Sequence, residues 1–393
     1  MENIAYLKNV EHYRKQVYGT SFDKLGIGLL GVFMTVSANL LTYLPDLNDN
    51  EDNKLVRDIQ FHRSLSGLDQ YFFEVLNQAK INDRHHLIER SFSQSTIFIT
   101  YHTGSYRLFL ELLSKRNVNF ALVTQEHFLK TQGDDVKNVF KRLRSNSDDE
   151  LEILPAENPR LMFELMNRLK NGISVVFYID GNTGSANKEV DENKNLHKMD
   201  FLNHHIYARQ GIAYLAYLSK APIVAAIAKR NKDLSNRILV KPIHTKLLLK
   251  TKNRTDFINI VTEKLYQELE SFLKKHPEQW EGWFYIDKFF KLENISEEKP
   301  LNLERLSPDS SEKVTLQLDK SVHLKKYDEE HIFLITKKDY RIMNITNLLY
   351  EVLDFFRAPK ELMPKESLMI NNQVVDWDFI TELIEMRFLA VRG

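Results

Sequence analysis

The sequence predicts an α/β fold, a mostly parallel sheet flanked by helices, joined to a small C-terminal α+β domain of winged-helix-like character. Three observations point there. From residue 95 onward, short β-branched apolar runs alternate with amphipathic segments, the pattern of βαβ units. Two of those runs stop at polar turns that contain glycine, His102-Thr103-Gly104-Ser105 and Asp180-Gly181-Asn182-Thr183-Gly184-Ser185. Residues 291–313 then shift to a Glu-, Ser-, Pro- and Asn-rich composition without periodicity, and a different rhythm follows.

The 393 residues are 43% hydrophobic and 27% charged, a globular composition long enough for two or three domains. Lys plus Arg and Asp plus Glu both total 54, so the formal net charge is zero and the basic excess of a nucleic-acid binder is missing. The absence of cysteine excludes disulfides, thiol catalysis and thiolate metal sites. Met1 leads into Glu2, Tyr6, Lys8 and Glu11, which is not an export signal, and a cytoplasmic protein is expected, with peripheral contact at the inner face of the membrane as an alternative.

Taken in order, residues 1–94 form an N-terminal helical region. Residues 25–45 of it carry no charge, and Gly26, Gly28, Gly31, Ser37, Asn39 and Thr42 dilute its apolar character. The segment reaches the length of a membrane span. Its small residues allow close packing, and the first reading is a buried or interfacial helix, with a membrane-surface anchor or a true span as alternatives. An acidic loop follows Pro45, and then helices over 54–92 with Leu55, Ile59, Leu65, Leu68, Phe72 and Leu76 on the apolar face. His85 and His86 are adjacent and point apart on a helix, so they are read as surface residues.

The core, 95–290, contains strands at 96–101, 119–124, 151–154, 173–179, 222–229 and 236–242. Helices are expected near 105–115, 134–145, 158–170, 206–219 and 254–274. Residues 186–204 read as a long polar loop, and His276–Tyr285 as an aromatic edge docked on the domain. After the linker at 291–313, residues 314–393 show strands at 315–319 and 331–336, helices at 345–357 and 376–386, and a closing strand at 388–391.

In an open α/β sheet, ligands bind beyond the carboxyl ends of the strands. Were strands 96–101 and 173–179 parallel in one sheet, His102 and Asp180 would meet at one crevice. Gly104, Gly181 and Gly184 would let a substrate approach the backbone there, and the helix after His102 would aim its N-terminal N–H groups at an oxyanion. A histidine so placed is a candidate general base. No Gly-x-Ser-x-Gly or His-Glu-x-x-His pattern is present, which argues against serine-hydrolase and zinc-protease chemistry.

The order of features from about 17 to 290 resembles the lysophospholipid acyltransferase superfamily, and most closely the bacterial lipid A acyltransferases that take their fatty acid from acyl carrier protein. Four passages carry the likeness: Thr100-Tyr101-His102-Thr103-Gly104-Ser105-Tyr106, Phe177-Tyr178-Ile179-Asp180-Gly181-Asn182-Thr183-Gly184, Gly211–Ala216 with Ala221-Pro222-Ile223-Val224, and His276-Pro277-Glu278-Gln279-Trp280. The resemblance implies acyl transfer from a thioester donor, acyl carrier protein or CoA, to an amine or hydroxyl, with His102 as base. It implies no bound cofactor and no metal. The family's histidine is usually oriented by a carboxylate five residues on. Here that position is Arg107, which has only donors and cannot accept the imidazole N–H.

Asp180 or Glu111 is expected to supply the missing acid; otherwise the histidine works without one, or Arg107 and Glu111 form a helix-surface ion pair. Arg107 could also hold an anionic group, a carboxylate of the acceptor or a phosphate of the carrier arm. Gly104, Ser105, Gly181 and Asn182 are expected to touch substrate, and Glu126 with His127 to sit near the same edge. Residues 314–393 resemble, more weakly, PqqD-like domains, through Ile332–Thr336, Arg341–Thr346 and Met386–Leu389. That likeness implies a peptide partner taken on an exposed strand edge and an acceptor presented by a peptide or carrier. Two alternatives stand beside the acyltransferase: a catalytically lapsed binding protein on the same fold, and a thioester hydrolase.

Overall fold

The computed structural model describes residues 4–20, 27–146, 148–181, 196–289, 312–327, 330–336, 341–364, 366 and 368–392. The chain begins with helices α1 (Ile4–Gly19), α2 (Ile27–Tyr43), α3 (Asp49–Asp69) and α4 (Phe73–Gln78), then strand β1 (Lys80–Asn82) and helix α5 (Leu87–Arg90). The alternating region follows as β2 (Ile97–Thr100), α6 (Arg107–Lys115), β3 (Phe120–Thr124), α7 (Glu126–Leu143), β4 (Glu152–Pro155), α8 (Leu161–Lys170) and β5 (Ser174–Tyr178). It continues through β6 (Leu196–Phe201), β7 (His204–Arg209), α9 (Gly211–Ser219), β8 (Ile223–Arg230), β9 (Asn236–Ile243), α10 (Lys246–Thr251) and α11 (Arg254–Leu273).

Two compact units result. The first comprises Met1–Gly19, Thr42–Pro45 and Lys54–Phe290; the second comprises Thr20–Leu41, Asp46–Asn53 and Lys291–Gly393. The first unit is built on a seven-stranded sheet in the order β1-β9-β8-β2-β5-β3-β4. All its pairings are parallel except β8 with β9. The run Ile97–Thr100 is buried throughout, as a central parallel strand covered on both faces must be. On one face Phe98, Leu122, Val176 and Val224 pack against Phe109 and Leu112 of α6.

Residues 186–204, read from sequence as a loop, are only partly so. Residues 196–209 form the antiparallel hairpin β6–β7, turning at Leu202 and Asn203, where Leu202 has φ 53°. Met199 and Phe201 are buried while Lys198 and Asp200 are exposed, and that scattered polarity hides the strand in sequence. Residues 186–195 lie outside the described residues.

The second unit holds β10 (Val314–Leu318), β11 (Val322–Lys326), β12 (Ile332–Thr336), β13 (Arg341–Asn344), α12 (Asn347–Phe355), β14 (Lys360–Leu362), β15 (Leu368–Ile370), β16 (Gln373–Val375), α13 (Trp377–Glu385) and β17 (Leu389–Arg392). Its sheets run β14-β10-β17 and β11-β12-β13, all antiparallel, with β15-β16 as a separate pair. Val352, Leu353 and Phe356 of the α12 end and Ile380, Leu383 and Ile384 of α13 close one core with Leu316, Leu324 and Leu334.

The charge-free N-terminal stretch contributes to this unit. Met34 and Ala38 of α2 pack on Phe333 and Ile335 of β12, and His323 donates from Nε2 to the Ala38 carbonyl at 3.0 Å. Asp52 accepts the Ser37 hydroxyl at 2.5 Å and pairs with the buried Lys325 ammonium, so a buried charge is matched by a charge. Among the described residues, no helix is long and apolar enough to cross a membrane.

Candidate active site

The site follows from strand register. β2 and β5 are adjacent and parallel, with Thr100 opposite Tyr178. Two residues beyond that pair, at the same sheet edge, stand His102 and Asp180. The Asp180 carboxylate accepts the His102 Nδ1–H through Oδ1 at 2.9 Å and the His102 backbone N–H through Oδ2 at 2.9 Å. Oδ2 also accepts the Trp280 indole N–H at 2.6 Å. Asp180 is 1% exposed, so a buried carboxylate meets donors only. Because a carboxylate accepts, Nδ1 carries the proton and Nε2 presents its lone pair. Nε2 has no partner among the described residues, and the ring forms part of a cavity wall.

The segment after His102 is held from below. Gly104 adopts φ 51°, and a Cβ there would stand 2.9 Å from the Ala228 carbonyl oxygen of β8, so both the turn and the close approach require glycine. Its backbone N–H donates to the Gln279 carbonyl at 2.8 Å. The Gln279 side chain in turn clasps the backbone of Arg230, accepting its N–H at 2.7 Å and donating to its carbonyl at 2.8 Å. The Ser105 hydroxyl hydrogen-bonds Asp69 and Arg230. Asp69 also pairs with Arg230 at 2.5 Å and accepts Asn236 at 3.0 Å and Tyr6 at 2.8 Å. Thus Gly104 and Ser105, expected to touch substrate, serve the fold. The Gly104 amide, engaged by Gln279, is not free to receive an oxyanion.

The cavity beside His102 measures about 870 Å³. Phe120, Leu122, Val139, Phe140, Leu151 and Leu165 make up part of its apolar lining. Helix α6 lays a polar stripe along this wall, Arg107, Glu111 and Ser114, at the i, i+4, i+7 spacing that shares one face. Arg107 stacks over the Tyr106 ring at 4.6 Å and makes no hydrogen bond or ion pair among the described residues. The helix-surface ion pair with Glu111 is therefore absent. Glu111 is 4% exposed, and its carboxyl has no hydrogen-bonding partner among the described residues and no bond to His102. Burial pushes its pKa up to about 8, the nearby Asp69 charge adds to the rise, and Arg107 opposes it. Glu281, also in the wall, is raised by burial against the pull of His102 and Arg107. The Tyr178 ring lies 4.9 Å from the His102 ring, and its buried hydroxyl lacks a partner among the described residues.

Gly181 lines the cavity next to the His102 ring. Glu126 does not; it is exposed and pairs with Lys130 at 2.8 Å one turn along α7, while its neighbour His127 reaches the wall. Asn182 lies outside the described residues. Trp280, Gln279, Glu281 and Tyr178 belong to the site although sequence reasoning assigned them no role there. The Pro277-Glu278-Gln279-Trp280 passage was the available signal: far from a passive docked edge, it bridges Thr103 in β fashion and reaches Asp180. Among the described residues no cluster of three or more His, Asp or Glu could hold a metal ion.

The sequence profile described as bacterial lipid A biosynthesis acyltransferase matches residues 9–291. Among solved structures, the chain is similar to the 1-acyl-sn-glycerophosphate (LPA) acyltransferase PlsC from Thermotoga maritima, at 11% identity over 63% of this chain and 95% of that one, with a TM-score of 0.29. No curated protein matches the sequence.

Proposed function

The chain belongs to the bacterial lipid A biosynthesis acyltransferase family, and from that premise we propose that it moves a fatty acyl group from a carrier or CoA thioester to an amine or hydroxyl, with His102 as general base. The observation that carries this reading is the 2.9 Å contact between His102 Nδ1 and Asp180, which leaves Nε2 as the base in the wall of a cavity of about 870 Å³. In the reaction, Nε2 takes the acceptor's N–H or O–H proton as the acceptor lone pair attacks the thioester carbonyl. The tetrahedral intermediate collapses with cleavage of the C–S bond. The departing thiolate recovers the proton from the imidazolium, so the products are an amide or ester and a free thiol. Asp180 fixes the tautomer and stabilises the imidazolium through its negative charge.

Asp180 thereby supplies in space what Arg107 does not supply in sequence. Arg107, free of hydrogen bonds among the described residues, is assigned to an anionic group of a substrate, a carboxylate or a phosphate. The C-terminal unit is assigned to presenting a peptide or carrier-bound acceptor. Incubation of the purified protein with acyl carrier protein and CoA thioesters and a panel of amines and alcohols tests this: acylated acceptor is expected, and His102→Ala must abolish it. Thioester hydrolysis without transfer to any acceptor would instead make the protein a hydrolase.

A further inference from the structure

We propose that the acceptor is a primary amine that also carries a carboxylate, the carboxylate held by Arg107 and the ammonium by Glu281. The inference rests on the acyl-transfer reading of the same site and names its acceptor. Its starting point is a pair of opposite charges that do not meet. Arg107 and Glu281 both line the cavity. Among the described residues neither forms an ion pair, with the other or with a third group, and the hydrogen bond that Glu281 receives is a long one, from the Tyr106 hydroxyl to Oε2 at 3.5 Å. The Arg107 nitrogens and Glu281 Oε1 are not among the fully buried, unpaired polar atoms of the described residues, so they remain accessible in the cavity wall. A charge drawn partly out of water is costly unless an opposite charge matches it. A ligand that brings a carboxylate and an ammonium together matches both.

Both charges stand beside the base. The Tyr106 ring packs edge-on against the His102 ring, with 4.6 Å between centroids. The Arg107 guanidinium lies over that same Tyr106 ring, 4.6 Å from its centroid, and the Glu281 carboxylate reaches its hydroxyl. Glu281 is also tied to the base through the backbone: its N–H donates to the His102 carbonyl at 2.9 Å, next to the bridge between Thr103 and Trp280. Burial raises the Glu281 pKa, opposed by the His102, Arg107 and Arg63 charges, and a bound ammonium would restore its charged form. A planar carboxylate suits the guanidinium fork, accepting two N–H groups side by side. A dianionic phosphate on Arg107 would face the Glu281 carboxylate across one ring, like charge against like, so the carboxylate is the matching anion. In the reaction the ammonium gives one proton to the Glu281 carboxylate, which releases it to solvent. It gives a second to His102 Nε2 as the nitrogen lone pair attacks the thioester carbonyl. The C–S bond breaks, the thiolate takes the proton from the imidazolium, and an N-acylated acid and a free thiol leave.

Equilibrium binding of acceptors to the full-length protein, with no thioester present, tests this without turnover. One series comprises neutral amino acids, their amides, the corresponding hydroxy acids and aminoalkyl phosphates. A second comprises short C-terminally amidated peptides that begin with Asp or Glu, and their Asn or Gln counterparts. In at least one series the acid should bind roughly tenfold more tightly than its amide, the change expected for a charge-assisted hydrogen bond, and that series identifies whether a free amino acid or a peptide presents the pair. Arg107→Leu should erase the preference for acid over amide, and Arg107→Lys should keep part of it. Glu281→Gln should erase the preference for amino acid over hydroxy acid. Equal binding of acid and amide in both series by the wild-type protein overturns the inference, as does tighter binding of the aminoalkyl phosphate. So does a folded Arg107→Leu protein that keeps the preference. The preference in binding without transfer from any thioester would instead count against the acyl-transfer reading and leave the acceptor site standing; transfer to amines with no preference for a carboxylate would do the reverse.

Discussion

Asp180→Asn is the most informative single change near the base. Asp180 receives three donors, the His102 Nδ1–H, the His102 backbone N–H and the Trp280 indole N–H, and donates to none. An asparagine has one carbonyl oxygen and one NH2, so one side of the group must turn a donor toward donors. With NH2 on the Trp280 side, two N–H groups confront each other where 2.6 Å separates the present partners. With NH2 on the His102 side, Nδ1 must accept, the proton moves to Nε2, and the base is lost. Either orientation also removes the negative charge that stabilises the imidazolium. Loss of the correct tautomer in comparable His–Asp pairs costs about 10⁴ in rate. Leaving a buried donor unpaired costs about 1–3 kcal/mol of stability. Acyl transfer measured under single-turnover conditions should therefore fall by about three to four decades, alongside a modest drop in Tm. Transfer within threefold of wild type in a folded Asp180→Asn protein would refute the role given to Asp180.

Other consequences concern pH and backbone. Glu111 holds a proton in the fold up to about pH 8 but loses it near 4.5 when unfolded, so its contribution is complete below 4.5 and is lost as pH rises through 8. At about 1.4 kcal/mol per pH unit the upper bound is ~5 kcal/mol, and Glu111→Gln should raise Tm at pH 9 relative to wild type and change little at pH 4; equal shifts at both would contradict the assignment. His62 is driven down to about 3 by burial, with the Arg230 and His276 charges adding to the effect. The unfolded chain then binds a proton that the fold refuses as pH falls below 6.5, and His62→Gln should flatten the loss of Tm between pH 6.5 and 4. Gly104→Ala, strained at φ 51° and crowded by the Ala228 carbonyl, should cost about 1–3 kcal/mol and show as a lower melting temperature. Unchanged stability would mean the loop readily moves away from β8.

His102 and Asp180 were legible in sequence because each follows a β-branched run by two residues at a glycine turn. Their meeting was not, since it depends on β2 and β5 being neighbours in the sheet, and strand order has no local signature. Gly104 was legible as a turn residue, but the strand it approaches is more than a hundred residues away. Trp280 carried no sign of its contact with Asp180; an indole among aromatics reads as packing, and here it does both. Arg107 and Glu111 have the spacing of a surface ion pair, and spacing does not reveal that a cavity opens on that helix face. The hairpin β6–β7 and the short strands β13, β14 and β16 escaped because few of their residues are buried; β11 and β15 are largely buried, but β11 buries a lysine, Lys325, and β15 is three residues long, so neither shows a clear apolar run. The α2 segment could be recognised as apolar, while its partner, the β11-β12-β13 sheet, lies nearly three hundred residues further along.

Rapid-mixing measurement of acylated acceptor formed by wild-type and His102→Ala protein tests the assignment of His102 as base most directly. The wild type is expected to show a single-turnover phase of product formation, and His102→Ala to form product no faster than the uncatalysed reaction. Product at an undiminished rate from the alanine variant would contradict it.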